Sequence, residues 1–176
     1  MKKTMINWQV GGFVFTAVAG TLLHFLFDWS HGSVVVAVFS AVNESIWEHL
    51  KLLFYPMTLF AIIEYLFWGK NTESFWCIKG IGSLVGLLMI PVIYYTYTGS
   101  LGIKADWFNI AIFFITAGVV CWLEIRLLQQ NTVYPIDFVY VIILLGLMAG
   151  VFAIFTFFPP HIPLFQDPVT GSYGFQ

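Results

Sequence analysis

Five stretches of twenty or more mostly apolar residues leave this chain few ways to fold: Asn7 to Phe27, Ile46 to Gly69, Lys79 to Thr98, Asp106 to Leu128 and Tyr134 to Phe158. Each is long enough, at about 1.5 Å per helical residue, to cross a hydrocarbon core about 30 Å thick. A helix satisfies its backbone groups within itself, which lipid demands. The expected fold class is therefore all-α, a polytopic transmembrane helical bundle with five crossings. Composition agrees, since 60% of the 176 residues are hydrophobic and 9% are charged, far from a soluble domain of this length. The lipid bilayer is thus the first expected partner.

A sixth apolar stretch, Ser33 to Val42, would reach only about 15 Å as helix. It cannot cross alone and reads as a short reentrant or half-length helix that turns at Asn43 and feeds the next span. Backbone that is irregular at that depth needs protein or water over it. Pro56 is expected to kink the span that follows. Gly82 with Gly86, and Gly146 with Gly150, make small faces for close helix contact, either of which would serve a homo-oligomer.

Sidedness follows from the cations. With five crossings and the N-terminus inside, Lys2, Lys3, Lys70, Lys79 and Arg126 lie inside, against Lys104 and Lys51 outside. With six crossings the split is nearly even, so the positive-inside rule favours five. The chain is expected in the cytoplasmic (inner) membrane, N-terminus inside and C-terminus outside. Lys2 and Lys3 resemble a signal n-region, but the apolar run continues past Ala17-Val18-Ala19 to Phe27, which reads as an uncleaved first span. A formal charge of −2 without a basic run excludes nucleic-acid binding. Cys77 and Cys121 are too few for a disulfide framework or a zinc ribbon. Residues 1–176 read as a single integral membrane domain, with 159–176 as an extended C-terminal lid.

Chemistry concentrates in Asn43-Glu44-Ser45-Ile46-Trp47-Glu48-His49-Leu50-Lys51. Ionisable groups at membrane depth are costly and tend to mark sites. His24 and Asp28, one turn apart at the end of the first span, are positioned to meet this nonapeptide. Two imidazoles with carboxylates suit a divalent metal, zinc foremost. The expected ligands are His24, Asp28 and His49. Glu44 or Glu48 would act as general base on a metal-bound water, and Lys51 would steady negative charge, giving hydrolysis of a membrane-associated substrate. No H-E-x-x-H pattern is present. Two alternatives stay open: a non-catalytic module whose cluster is a structural polar network, and a small solute or proton transporter built on a broken helix. Asn43 and Ser45 read as structural in every case, Ser45 with Glu48 three residues on forming a capping box. Glu64 and Glu124 sit deep near the inner side, within reach of Arg126, while His31 and His161 read as solvated.

The C-terminal stretch is extended by its prolines yet rich in large apolar groups, and Asp167-Pro168-Val169-Thr170-Gly171 reads as a tight turn. It is expected to fold back over the outer end of the bundle, with Asp167 and Tyr173 as residues closing on the cluster. Two motifs, V-N-E-S-x-W-E-H-x-K at Val42 to Lys51 and P-P-x-x-P-x-F-x-D-P-x-T-G-x-Y-G at Pro159 to Gly174, resemble a family of small uncharacterised bacterial multi-pass membrane proteins. The resemblance covers nearly the whole chain and implies its architecture, with no activity attached.

Overall fold

The structure, a computed structural model, describes residues 2–102, 105–130 and 136–175. Lys104 and Tyr134, used above for sidedness and for the last span, lie outside the described residues. Among the described residues six α-helices form: α1 (Lys2–Trp29), α2 (Val34–Ala37), α3 (Ile46–Phe67), α4 (Phe75–Leu101), α5 (Asp106–Gln129) and α6 (Phe138–Phe157). All but α2 are long and apolar enough to cross a membrane, and the chain is a multi-pass membrane protein. Among the described residues β-structure is limited to one bridge, between Gln166 and Tyr173.

α1 and α4 run past the apolar limits at both ends, whereas α3 stops at Phe67, short of Gly69. α1 carries on through Asp28 to Trp29 and stops where His31 and Gly32 both take positive φ, 54° and 74°, a conformation that ends a helix. α3 is continuous through Pro56 and α4 through Pro91. The stretch expected as a half-length helix makes one helical turn, α2, and then bends irregularly to Ser45. It is covered by protein on one side only: Ala37 and Ser40 are fully buried, whereas Val34, Val35 and Phe39 are exposed. The Ser40 hydroxyl bonds the Leu23 carbonyl and accepts from the Phe27 N–H at 3.1 Å, tying the stretch to the end of α1.

α1 packs along α3 and α5, while α4 packs along α5, α3 and α6. Leu53 and Phe54 of α3, Leu87 and Ile90 of α4, Ile112 of α5 and Phe152 of α6 meet in one core. The outward faces are as apolar as the interior. Val10, Val14, Val18 and Leu22 form an exposed stripe at four-residue steps along α1, the pattern of a helix solvated by lipid. The Gly82–Gly86 face, one of two expected for self-association, is filled from within the chain. A Cβ on Gly86 would come 2.8 Å from Leu53 and 3.3 Å from Val120, so this face serves α3 and α5. Gly146 and Gly150 have nothing within 4 Å.

The charged residues of the spans gather at the two ends. At one end Lys79 pairs with Glu64 at 2.7 Å and Glu124 at 2.6 Å. Arg126, expected to satisfy one of them, instead lies 5.5 Å from the Trp122 ring centroid. Lys79 sits inside the bundle and not at its boundary, where the sequence had placed it. At the other end, where α1 and α6 finish and α3 begins, lies the Asn43 to Lys51 cluster.

Candidate functional site

The start of α3 is built by its own short polar side chains. Asn43 Oδ1 accepts from the Ser45 N–H at 2.9 Å, and Ser45 Oγ caps the Glu48 N–H at 3.3 Å. The reciprocal half of a capping box is displaced. The Ser45 N–H is taken by Asn43, and the Glu48 carboxylate accepts from the Val42 N–H instead, at 3.0 Å. This arrangement fixes the first turn of α3 and sends Glu44, His49 and Glu48 to different places.

His49 is oriented by its other ring nitrogen. Nδ1 lies 2.8 Å from the Ser45 carbonyl oxygen, which can only accept, so Nδ1 carries the proton and Nε2 presents its lone pair. Nε2 lies 3.5 Å from Glu44 Oε2, and Nε2 of His24 lies 3.7 Å from Glu44 Oε1. The two rings stand 5.3 Å apart, and one ligand atom from each of the three residues lies within 4.8 Å of the others. Ligands bound at 2.0–2.1 Å around a tetrahedral ion are separated by about 3.4 Å. The two histidine-to-glutamate distances come close to that spacing. A proton-bearing Nδ1 held by a carbonyl is also the usual support of a ligating histidine. The Glu44 side chain is about half exposed and the histidines about a third, which leaves one side open to water.

Other expected members go elsewhere. Asp28 lies a turn further along α1, exposed, and does not join the three. Glu48 and Lys51, expected at the reacting centre, turn inward and pair at 2.6 Å with 1% and 0% side-chain exposure. Lys51 Nζ also donates to the Ala37 carbonyl at 2.8 Å and to Thr156 Oγ1 at 2.9 Å. The Thr156 hydroxyl stands 2.9 Å from the Phe152 carbonyl and 3.3 Å from Glu48 Oε1. The pair thus ties α2, α3 and α6 together. Thr156 escapes sequence reading because one hydroxyl in an apolar run looks like any helical threonine. Its four-residue step from Phe152 was the only hint.

The tail lies against the same end. Asn43 Nδ2 donates to the Gly174 carbonyl at 3.1 Å, and the Phe175 N–H donates to the Thr156 carbonyl at 2.8 Å. Gly174 has φ 63°, and a Cβ there would meet the Thr156 carbonyl at 2.7 Å, so glycine is required twice over. Trp47 stacks among Phe152, Phe155 and Phe165, the last at 4.7 Å. The Asp167 carboxylate accepts from the N–H groups of Val169 at 2.7 Å and Thr170 at 3.3 Å. Burial works to raise this carboxyl, but the donors outweigh it and hold it below its ordinary 3.8. Tyr173 faces away and stacks on His161 at 4.6 Å.

Three convergent ligand groups on a membrane bundle, beside a tail anchored by Asn43, involve both of the sequence motifs and both ends of the chain. The chain belongs to the family of unknown function DUF6512. The match runs over residues 1–175, so it takes in every residue of the site. No curated protein and no solved structure matches.

Proposed function

We propose that this protein is a metal-dependent hydrolase of the inner membrane, holding a divalent ion, zinc foremost, at His24, Glu44 and His49 and acting on a membrane-associated substrate. The carrying observation is the spacing of the two Nε2 atoms and the Glu44 carboxylate, with His49 already set in the ligating tautomer by Ser45. Zinc held by three ligands keeps an open position and lowers the pKa of its bound water to about 7. Asn43 and Ser45 hold the α3 turn, Asn43 also holds the Gly174 carbonyl of the tail, and the tail limits access as a lid. Glu48 and Lys51 keep the scaffold in place and take no part in the reaction, which narrows the catalytic set to the three residues at the opening.

A second reading, a non-catalytic module, is favoured by one feature: His24 and His49 both lie within ion-pair reach of Glu44, so protonated rings would satisfy the carboxylate by themselves. Elemental analysis of the purified, zinc-loaded protein separates the two. One zinc per chain is expected in the wild type and in Glu48→Gln, and none in Glu44→Ala or His49→Ala. A wild type that retains no metal while all variants stay folded ends the metal reading and leaves the module.

A further inference from the structure

The end of the bundle remote from the histidine pair holds a second polar node, and its charges do not balance. α1 contributes Gln9, α3 Glu64, α4 Lys79 and α5 Glu124, each no more than 6% exposed. Two carboxylates face one ammonium, and an unmatched charge among buried side chains is strongly unfavourable. One further positive charge is needed.

Geometry says where it goes. Lys79 Nζ donates to Gln9 Oε1 (2.9 Å) and Glu124 Oε2 (2.6 Å) and forms an ion pair with Glu64 Oε2 at 2.7 Å. Gln9 Nε2 donates to Glu64 Oε1. Glu64 Oε2 has no hydrogen-bond partner among the described residues but faces the ammonium. Glu124 Oε1 lies against Gly82, where a Cβ would overlap it. Glu124 lines a cavity of about 30 Å³ together with Gln9, Thr16, Lys79, Cys121 and apolar groups. A space of that size with polar walls holds a water molecule.

We propose that this node is a buried proton-exchange site, carrying one proton on Glu124 Oε1 and exchanging it through the water-sized cavity beside it. In uptake a hydronium in the cavity transfers its proton to Oε1, an O–H bond forms, and a neutral water remains; release is the reverse. A proton fits better than an alkali cation, which would have to sit beside the Lys79 ammonium against its repulsion. The remaining titratable group on the wall is the Cys121 thiol, 3.5 Å from the Gln9 carbonyl that it donates to. Arg126 faces Trp122, and α6 carries no charged residue. The inference stands independently of the metal reading, since the two sites share no residue.

Infrared spectroscopy of the full chain in lipid nanodiscs at neutral pH tests it. The wild type is expected to show the C=O stretch of a protonated carboxylic acid, moving to lower frequency within minutes of transfer to D2O. Glu124→Gln and Glu64→Gln each leave one carboxylate for one ammonium, so the band disappears in both. Lys79→Gln leaves two carboxyls with no cation, so the band grows about twofold. If one variant fails to fold, the others still decide. No band in the wild type, a band surviving in both glutamine variants, or a band that does not respond to D2O overturns the proposal. So does a band lost when NaCl replaces KCl at fixed pH, which would assign the site to sodium.

Discussion

Lys51 and His49 stand two residues apart and differ in what surrounds them, and that difference decides what each can do. Lys51 has no exposed surface and donates to Glu48, Ala37 and Thr156. Removing one member of such a pair leaves the other charged and dry. Lys51→Met is therefore expected to destabilise the protein by about 3–5 kcal/mol, while Lys51→Met with Glu48→Gln recovers most of the loss. Thermal unfolding in detergent measures both, and an unchanged midpoint for the single variant would show the pair to be dispensable. His49 is partly open to water and already directs Nε2 at Glu44. Zinc at a hundredfold excess over its Kd should stabilise the native state by about 2.7 kcal/mol, reversibly with chelator. His24→Ala and His49→Ala should abolish that shift, and Asp28→Ala, which touches none of the three, should leave it intact. A shift lost equally in Asp28→Ala would place a fourth ligand on α1.

At the scale of elements, the helices were legible because apolar length alone sets them, and their registry was not. Periodicity along α3 places Glu44, Glu48 and Lys51 on one face, which is why the sequence reads them as one reacting centre. Glu44 in fact precedes the helix, outside its register, and the Asn43–Ser45 turn swings it toward α1. The partners of Glu48 and Lys51 come from α2 and α6, and no periodic pattern in one segment reveals the neighbour it will meet. The tail meets this end through the same turn, since Asn43 Nδ2 donates to the Gly174 carbonyl. The Asp167 carboxyl, held below its ordinary 3.8, contributes to the tail's own turn in full above that value. The contribution is lost as the pH falls through 3.8 toward the lower folded value. Asp167→Asn removes charged acceptors worth about 1.5–3 kcal/mol. Amide exchange across residues 167–175 should then quicken roughly ten- to a hundredfold at neutral pH, and its acid dependence in this range should vanish. Exchange unchanged from wild type would mean that the aromatic contacts of Phe165 and Phe175 hold the tail unaided.

For the molecule as a whole, the interior placement of two lysines alters the charge argument for orientation. Lys79 and Lys51 are each neutralised by buried glutamates, so neither counts as a loop cation. The exposed cations among the described side chains, Lys3, Lys70 and Arg126, then lie at one end of the bundle, the end of the Lys79 node. The histidine pair and the tail lie at the other. One turn of helix at α2 cannot cross, so five spans place the two termini on opposite sides, and from the positive-inside rule we propose that the cationic end faces the cytoplasm. Ser100→Cys and Val169→Cys, both at exposed positions beside the histidine end, should therefore react with a membrane-impermeant maleimide on intact cells. Lys70→Cys should react only after the membrane is opened. Labelling of Lys70→Cys in intact cells with protection of the other two would invert the protein, turning the three candidate ligands toward the cytoplasm and the proton-exchange node toward the outside.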